Sequence, residues 1–220
     1  FFFILIVFAM VSSLSVPEFA YPAATDRAWN GGGTDSNWQT AANWGGTAPS
    51  AGDALTFSGT TQLSPVNNFV EGTTFTGILI NTGSGAFVTS GNGITVTGRG
   101  NGTVTGEWAV LNNEQSNSNT QTIGNKLTLL GNLSIECNSS TSLLKLTGDI
   151  VNNGVQTLLV KGAAGGVEID GVISGSGGLQ IGSNASGTNY VTLTNANTYT
   201  GMTTIDAGVL NIQNGSALGT

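Results

Sequence analysis

Three short stretches, Leu127-Thr-Leu129, Leu144-Lys-Leu146 and Val167-Glu-Ile169, show the unit that decides the fold of this chain. In each stretch two apolar residues flank one polar residue, and a Gly follows two positions later. This alternation places both apolar side chains on one face of a strand. The unit recurs from about Leu55 onward, at Ile78–Ile80, Ile94–Val96, Leu133–Ile135, Leu158–Lys161, Leu179–Ile181, Val191–Leu193 and Val209–Ile212.

Strands this short do not form a stable sheet by themselves, but the stacked coils of a parallel β-helix bury them jointly. Each strand then pairs with its equivalents one coil above and below, and each buried Val, Ile or Leu contributes roughly 1.5–3 kcal/mol. Gly and Asn are expected at the corners because they tolerate left-handed backbone conformations. The alternative is an antiparallel sandwich, which usually has longer strands and two-residue hairpin turns. The pattern favours an all-β solenoid over residues 58–220.

Composition agrees with an all-β chain and disfavours several classes of function. Of the 220 residues, 34 are Gly and only 8% are charged, whereas long helices usually carry many charged side chains. The net charge of −7 repels phosphate backbones, so we expect no nucleic-acid partner. The chain contains no His and a single Cys, Cys137, so it lacks the commonest general base and cannot form an intrachain disulfide.

The N-terminal residues resemble a targeting segment more than a part of the fold. Phe1 to Val11 is an unbroken apolar run, too short for an ordinary transmembrane helix and followed by small residues. This pattern is typical of the apolar part of a secretory signal peptide, and the alternatives are a core strand or an N-terminal anchor. We predict a signal peptide over residues 1–24, truncated at its N-terminus because neither an initiating Met nor a basic leader precedes the run.

Residues 25–57 differ from the rest of the chain because they hold three of its four Trp residues, Trp29, Trp38 and Trp44. A solenoid needs an end cap, since its first coil otherwise exposes an apolar face and unpaired strand edges. We therefore predict a Trp-rich N-terminal cap. The same three side chains, if exposed, are candidate ligand-binding residues that stack on sugar rings.

Two segments resemble a known family. Gly171-Val-Ile-Ser-Gly-Ser-Gly-Gly-Leu-Gln-Ile181, Asn197-Thr-Tyr-Thr-Gly201 and Thr203-Thr-Ile-Asp-Ala-Gly-Val-Leu210 together resemble the autotransporter-associated β-strand repeat, here over about 171–212. The Trp-rich stretch from Trp38 to Phe57 resembles the region that often precedes such repeats. Thr194 and Met202 depart from the usual pattern. The resemblance implies a right-handed β-helical passenger, exported and then displayed on the cell or shed. It also implies export through outer-membrane machinery or a C-terminal barrel of its own.

The carboxylates are the remaining candidates for chemistry. Glu168 and Asp170 are the only close pair in the body, and they could act as an acid and a base. We favour the other interpretation, a solvated outer face opposite inward Val167 and Ile169. Cys137 is interpreted as a small buried hydrophobic residue rather than a nucleophile. The sequence therefore predicts no enzyme, no cofactor and no metal site.

Two functional hypotheses follow from the sequence. The first is a secreted or surface-displayed bacterial passenger, structural or adhesive, that contacts extracellular surfaces and supports export of a larger protein. The second is a carbohydrate-binding or carbohydrate-active β-helix module with polysaccharide as its partner. The expected location is extracellular or on the bacterial outer-membrane surface in both cases.

Overall fold

The computed structural model of the chain describes residues 24–99, 107–112, 117–153, 157–183 and 190–220. Their strands stack as a parallel β-solenoid of about seven turns, and every ladder between strands is parallel. The predicted parallel β-helix is thereby confirmed, and the antiparallel sandwich is excluded. The predicted signal segment lies outside the described residues except for Ala24. The described part of the chain contains no helix of the length and apolarity that a membrane crossing requires.

The chain winds through three sheets in a fixed order. The first sheet contains β1 (Asp26–Trp29), β2 (Ala54–Phe57), β5 (Ile78–Ile80), β8 (Glu107–Asn112), β11 (Leu133–Cys137), β14 (Thr157–Gly162), β17 (Gly178–Ser183) and β19 (Thr203–Ile205). The second sheet contains β3 (Val66–Asn67), β6 (Val88–Gly91), β9 (Gln121–Ile123), β12 (Leu144–Leu146), β15 (Val167–Ile169), β18 (Tyr190–Leu193) and β20 (Val209–Ile212). The third sheet contains β4 (Thr73–Phe75), β7 (Ile94–Val96), β10 (Leu127–Leu129), β13 (Ile150–Asn152) and β16 (Ile173–Ser174).

The core consists of columns of inward side chains that run along the solenoid axis. The short strands bury their first and third residues and leave the second partly exposed, as in β10, β12 and β15. Register pairing then stacks equivalent residues directly on one another. One such column of the first sheet, fully buried throughout, is Leu55, Ile78, Val110, Ile135, Val160 and Ile181.

Gly and Asn have different roles at the corners. Gly171 is required because an added Cβ would lie 2.0 Å from the carbonyl oxygen of Gly148 in the preceding coil. Asn does not supply the left-handed corners we expected, since Gln62 is the only described residue other than Gly with a positive φ. Asn side chains instead join neighbouring coils, as Asn67 does by donating to the carbonyl of Asn92 at 2.7 Å. An amide side chain can satisfy the backbone groups that the corners leave without ladder partners.

The predicted cap region is continuous with the solenoid. β1 pairs with β2, and β2 pairs with β5 of the next coil, so residues 25–57 already contribute two strands of the first sheet. Between these strands the chain crosses the end of the stack and includes a 3-10 turn, Ala41–Trp44. Asn37 bridges to Val66 of β3, and Gly52 donates to Thr74 of β4 at 2.8 Å. The crossing segment therefore covers the first strands of the second and third sheets.

Candidate functional site

The three Trp residues of the N-terminal region form one buried aromatic cluster. Trp29 and Trp44 meet edge to face with ring centroids 5.2 Å apart, and Trp38 contacts Trp44 in the same way at 6.4 Å. Phe57 packs against all three rings at 5.6–6.0 Å. Trp44 Nε1 donates to the carbonyl of Trp38 at 2.7 Å. The cluster is thus an intramolecular packing unit that fills the N-terminal end of the core.

The sequence made sugar stacking by these rings conditional on their exposure, and in the structure all three rings are buried. The exposed fractions of Trp29, Trp38 and Trp44 are 0%, 0% and 5%. Stacking on a sugar requires an open aromatic face, and here the faces are occupied by other aromatic side chains. The cap interpretation of the same residues agrees with this cluster.

Ion pairs that the sequence did not suggest surround the cap. Arg27 in β1 donates to Asp53 at 3.0 Å, and Asp53 also accepts from the backbone N–H of Ser50 at 2.9 Å. Arg99 reaches Asp26 at 2.5 Å across 73 residues of sequence, and its guanidinium lies 5.2 Å from the ring centroid of Trp108. These contacts fasten the first coil to later parts of the chain. No local sequence motif predicts these ion pairs, because the partners are far apart in sequence.

The carboxylate pair lies where we expected, on the outer face of the second sheet. Val167 and Ile169 point inward and are buried, while Glu168 and Asp170 are partly exposed. Lys145 of the preceding coil lies between them, with its Nζ 2.5 Å from Glu168 Oε1 and 2.7 Å from Asp170 Oδ2. Sequence reasoning missed this lysine, because it lies 23 residues from Glu168 and meets it only through the stacking of the two coils.

Lys145 and Asp170 each favour the charged form of the other. Burial opposes ionisation of Asp170, but hydrogen bonds from Lys145 and from Thr194 at 2.7 Å lower the pKa of this carboxyl. Hydrogen bonds to Asp170 and Glu168 raise the pKa of Lys145. A general acid needs a carboxyl whose pKa is raised, and Asp170 has the opposite shift. Lys145 of one coil thus forms ion pairs with two carboxylates of the next coil.

A second cluster of the same kind lies on the outer face of the first sheet. Lys161 in β14 contacts Glu136 of β11 at 3.1 Å, and Ser134 Oγ donates to the same carboxylate oxygen at 2.6 Å. Lys161 and Glu136 are register partners in adjacent strands. Charges on this solenoid are therefore paired mainly between neighbouring coils.

The segment Asn197–Gly201, which carries the family resemblance, has a clear packing role. Asn197 is buried, its Oδ1 accepts from the N–H of Ile173 at 2.8 Å, and its Nδ2 donates to the carbonyl of Ala217 at 2.6 Å. One side chain thus links three successive coils. The buried ring of Tyr199 completes the core at this corner, and its hydroxyl lies 2.6 Å from the hydroxyl of Thr203.

The interpretation of Cys137 as a buried residue is confirmed. Its side chain is fully buried, and its sulfur lies 3.2 Å from the carbonyl of Ser142. Burial raises the pKa of the thiol, which keeps it protonated. Within the described ranges no group of three or more Cys, Asp or Glu side chains is placed to hold a metal ion.

Comparison of the chain with protein-family models, with curated proteins and with solved structures gives no significant match. The resemblance to the autotransporter-associated repeat therefore stays a prediction from the sequence. The structure establishes the repeated coils of a parallel β-helix.

Proposed function

We propose that this chain is a structural segment of a secreted or surface-displayed bacterial passenger, which supports export of the protein that contains it and offers its outer faces for adhesive contacts. The observation that carries the proposal is the set of unbroken inward columns. Each coil buries its apolar residues against the coil before it, through parallel ladders that keep equivalent residues paired, with one register shift between β8 and β11.

This architecture suits a chain that crosses a membrane unfolded and folds afterwards. Stability in a solenoid accumulates through contacts between neighbouring coils, so folding can proceed coil by coil as the chain emerges. The cross-coil hydrogen bonds support the same view, since Asn197, Lys145 and Lys161 reach partners 23–25 residues away along the chain. The apolar run Phe1–Val11, read as a signal peptide, supports the extracellular location.

An export assay tests the proposal. The chain is placed as the passenger of a heterologous outer-membrane translocator, with an epitope tag, and the surface-accessible tag is measured against total protein. We expect the wild-type chain to reach the surface and Ile135→Asp to reduce the accessible fraction strongly, because Ile135 is fully buried in the core column. Thr192→Asp, on the outer face of β18, is the matched control and should be exported normally. Equal export of the wild type and Ile135→Asp would contradict the proposal.

The carbohydrate-binding alternative is tested by Trp fluorescence. The buried cluster of Trp29, Trp38 and Trp44 should keep its emission maximum when polysaccharide is added. A saturable shift in emission would restore the alternative, because it would show that the cluster senses a bound sugar.

A further inference from the structure

The corner between β6 and β7 holds an Asn-Gly peptide bond that is surrounded by polar groups of the neighbouring coils. Asn92 is exposed and Gly93 is buried. The N–H of Gly93 donates to Glu71 Oε2 of the preceding coil at 2.7 Å. At an Asn-Gly bond the amide nitrogen of the Gly can attack the side-chain carbonyl carbon of the Asn and close a five-membered succinimide ring. Glu71 therefore contacts the atom that would attack.

The Gly at position 93 leaves room for this carboxylate. A Cβ added to Gly93 would lie 2.6 Å from Glu71 Oε1, which is closer than real Cβ contacts. Any other residue would push the carboxylate away or shield the amide nitrogen with its own side chain. The contact between Glu71 and the nitrogen of Gly93 thus depends on the Gly.

The carbonyl oxygen of the same peptide bond is held by two buried side-chain amides. Asn67 Nδ2 of the preceding coil donates to the oxygen of Asn92 at 2.7 Å, and Asn125 Nδ2 of the following coil donates to it at 2.9 Å. Both side chains are buried, with exposed fractions of 1% and 0%. When an amide nitrogen loses its proton, the negative charge spreads onto the carbonyl oxygen. Two fixed donors at that oxygen therefore stabilise the deprotonated peptide bond.

The side chain of Asn92 is held at the same corner. Its Nδ2 donates to the carbonyl of Phe69 at 2.6 Å, two residues before Glu71. Only the Cβ, the Cα and the carbonyl carbon of Asn92 separate its Cγ from the nitrogen of Gly93, so the two reacting atoms are close neighbours. The corner thus brings together a base, donors for the developing charge and the amide that is attacked.

Two other Asn-Gly bonds have both residues described, and neither has this arrangement. In Asn30-Gly31 the N–H of Gly31 donates to the carbonyl of Asn43 at 3.3 Å, and a carbonyl is too weak a base to remove an amide proton. In Asn214-Gly215 the side-chain oxygen of Asn214 accepts from the N–H of Ser216 at 2.9 Å. No carboxylate of the described residues accepts from Gly215.

We propose that Asn92 is a site of spontaneous modification, at which Glu71 acts as the general base and the Asn is converted through a succinimide into isoaspartate or aspartate. Glu71 takes the proton from the nitrogen of Gly93, and this nitrogen forms a bond to Asn92 Cγ. The bond between Cγ and Nδ2 then breaks, and Nδ2 leaves as ammonia with the proton that Glu71 returns. A water molecule opens the ring at one of its two carbonyl carbons, which gives one product or the other.

Either product weakens the corner. A carboxylate has no N–H to donate to the carbonyl of Phe69. In isoaspartate the main chain also gains one carbon atom, which displaces the carbonyl that Asn67 and Asn125 bind. The modification is therefore a slow and irreversible loosening of three adjacent coils, and it does not depend on the function proposed above.

Peptide mapping by mass spectrometry measures the reaction. The full chain is incubated at neutral pH, either folded or unfolded in urea, and the converted fraction is followed at Asn30, Asn92 and Asn214. The rate in urea gives the reference for each site, because only local sequence acts there. In the folded chain we expect Asn92 to react faster than in urea and faster than the other two sites. Conversion of Asn92 that is slower in the folded chain than in urea would overturn the proposal.

Glu71→Gln tests the base directly. Gln keeps an oxygen that accepts from the N–H of Gly93 but does not take up its proton. A positioned general base typically contributes roughly 10²–10⁴-fold, so conversion of Asn92 should slow by at least about tenfold with an unchanged circular dichroism spectrum. Glu168→Gln removes the same charge three coils away and should leave the rate unchanged. An equal rate at Asn92 in the wild type and in folded Glu71→Gln also overturns the proposal; should that variant unfold, the comparison of folded and urea-unfolded wild type decides.

Discussion

The first and the last described coils differ in how their inward side chains are covered. At the N-terminal end, Trp38 packs against Trp44, Phe57 and Phe75, and the column residues beneath it are fully buried. At the C-terminal end the same alternation continues into β19 and β20, yet Ile205 and Ile212 are half exposed. The comparison teaches that the strand pattern selects which side chains point inward. Whether such a side chain is buried depends on the coil or cap that packs on top of it.

The largest loss of stability is expected from truncating a ring of the N-terminal aromatic cluster. Trp38→Ala removes a fully buried ring that touches three other aromatic side chains, and such truncations cost about 3–5 kcal/mol. The free energy of unfolding, measured in urea, should fall by that amount. Leu218→Ala in the last described coil is the control and should change it less, since Leu218 is already 45% exposed. Similar losses for the two variants would show that the ends do not differ in packing.

Two substitutions in one column test whether the stability that an inward residue contributes depends on its burial or only on its place in the strand pattern. Ile181→Ala should cost about 2–5 kcal/mol because Ile181 is fully buried, whereas Ile205→Ala, one coil later in the same column, should cost less than half as much. Both are measured by urea unfolding. Equal costs would mean that the last coil is covered in solution by something else.

An intermediate loss of stability is expected from removing the two hydrogen bonds of the Asn197 side chain. Asn197→Ala leaves the N–H of Ile173 and the carbonyl of Ala217 without their partner, and buried groups left unpaired cost about 1–3 kcal/mol. Asn195→Ala is the control, because it also removes two hydrogen bonds, one to the carbonyl of Asp170 and one from the N–H of Ala196, but from a partly exposed position. Hydrogen exchange should also show faster opening of residues 214–220 in the Asn197 variant. Unchanged exchange there would argue against a link between the last coils.

The smallest change in stability is expected from removing the ion pairs of Lys145 with Glu168 and Asp170, and this change depends on pH. The pKa of Asp170 is lowered in the folded chain, so its contribution is present above the unfolded value of about 3.9 and is lost as the pH falls through the folded value. The pKa of Lys145 is raised, so its contribution is lost only as the pH rises through its folded value, above about 10.4.

Lys145→Met should therefore lower the free energy of unfolding at neutral pH by no more than about 1 kcal/mol for such partly exposed pairs, which appears as a small drop in Tm. The difference in Tm from wild type should shrink in acid. Lys126→Met is the control, because Lys126 is exposed and forms no ion pair with the described residues. A Tm difference that stays constant from neutral pH to strong acid would contradict the assigned role of Asp170.

The strands were predictable because their signal is local. The units at Leu127–Leu129, Leu144–Leu146 and Val167–Ile169 are β10, β12 and β15 with the predicted inward residues. Contacts of the candidate sites were not predictable in the same way. Arg99 and Asp26 are 73 residues apart, and Lys145 lies one coil from its two carboxylates. Such pairs depend on the lengths of the connections between strands, which set the register of each coil on the next.

The sequence by itself determined the all-β class, the repeated short strands and the side chains that face the core, because a period of two acts within a few residues. Only the tertiary structure decided that Trp29, Trp38 and Trp44 are buried in one cluster, that Lys145 holds Glu168 and Asp170 together, and that Asn197 links three coils. Each of these outcomes depends on what lies one coil away, and the local alternation of residues contains no information about that neighbour.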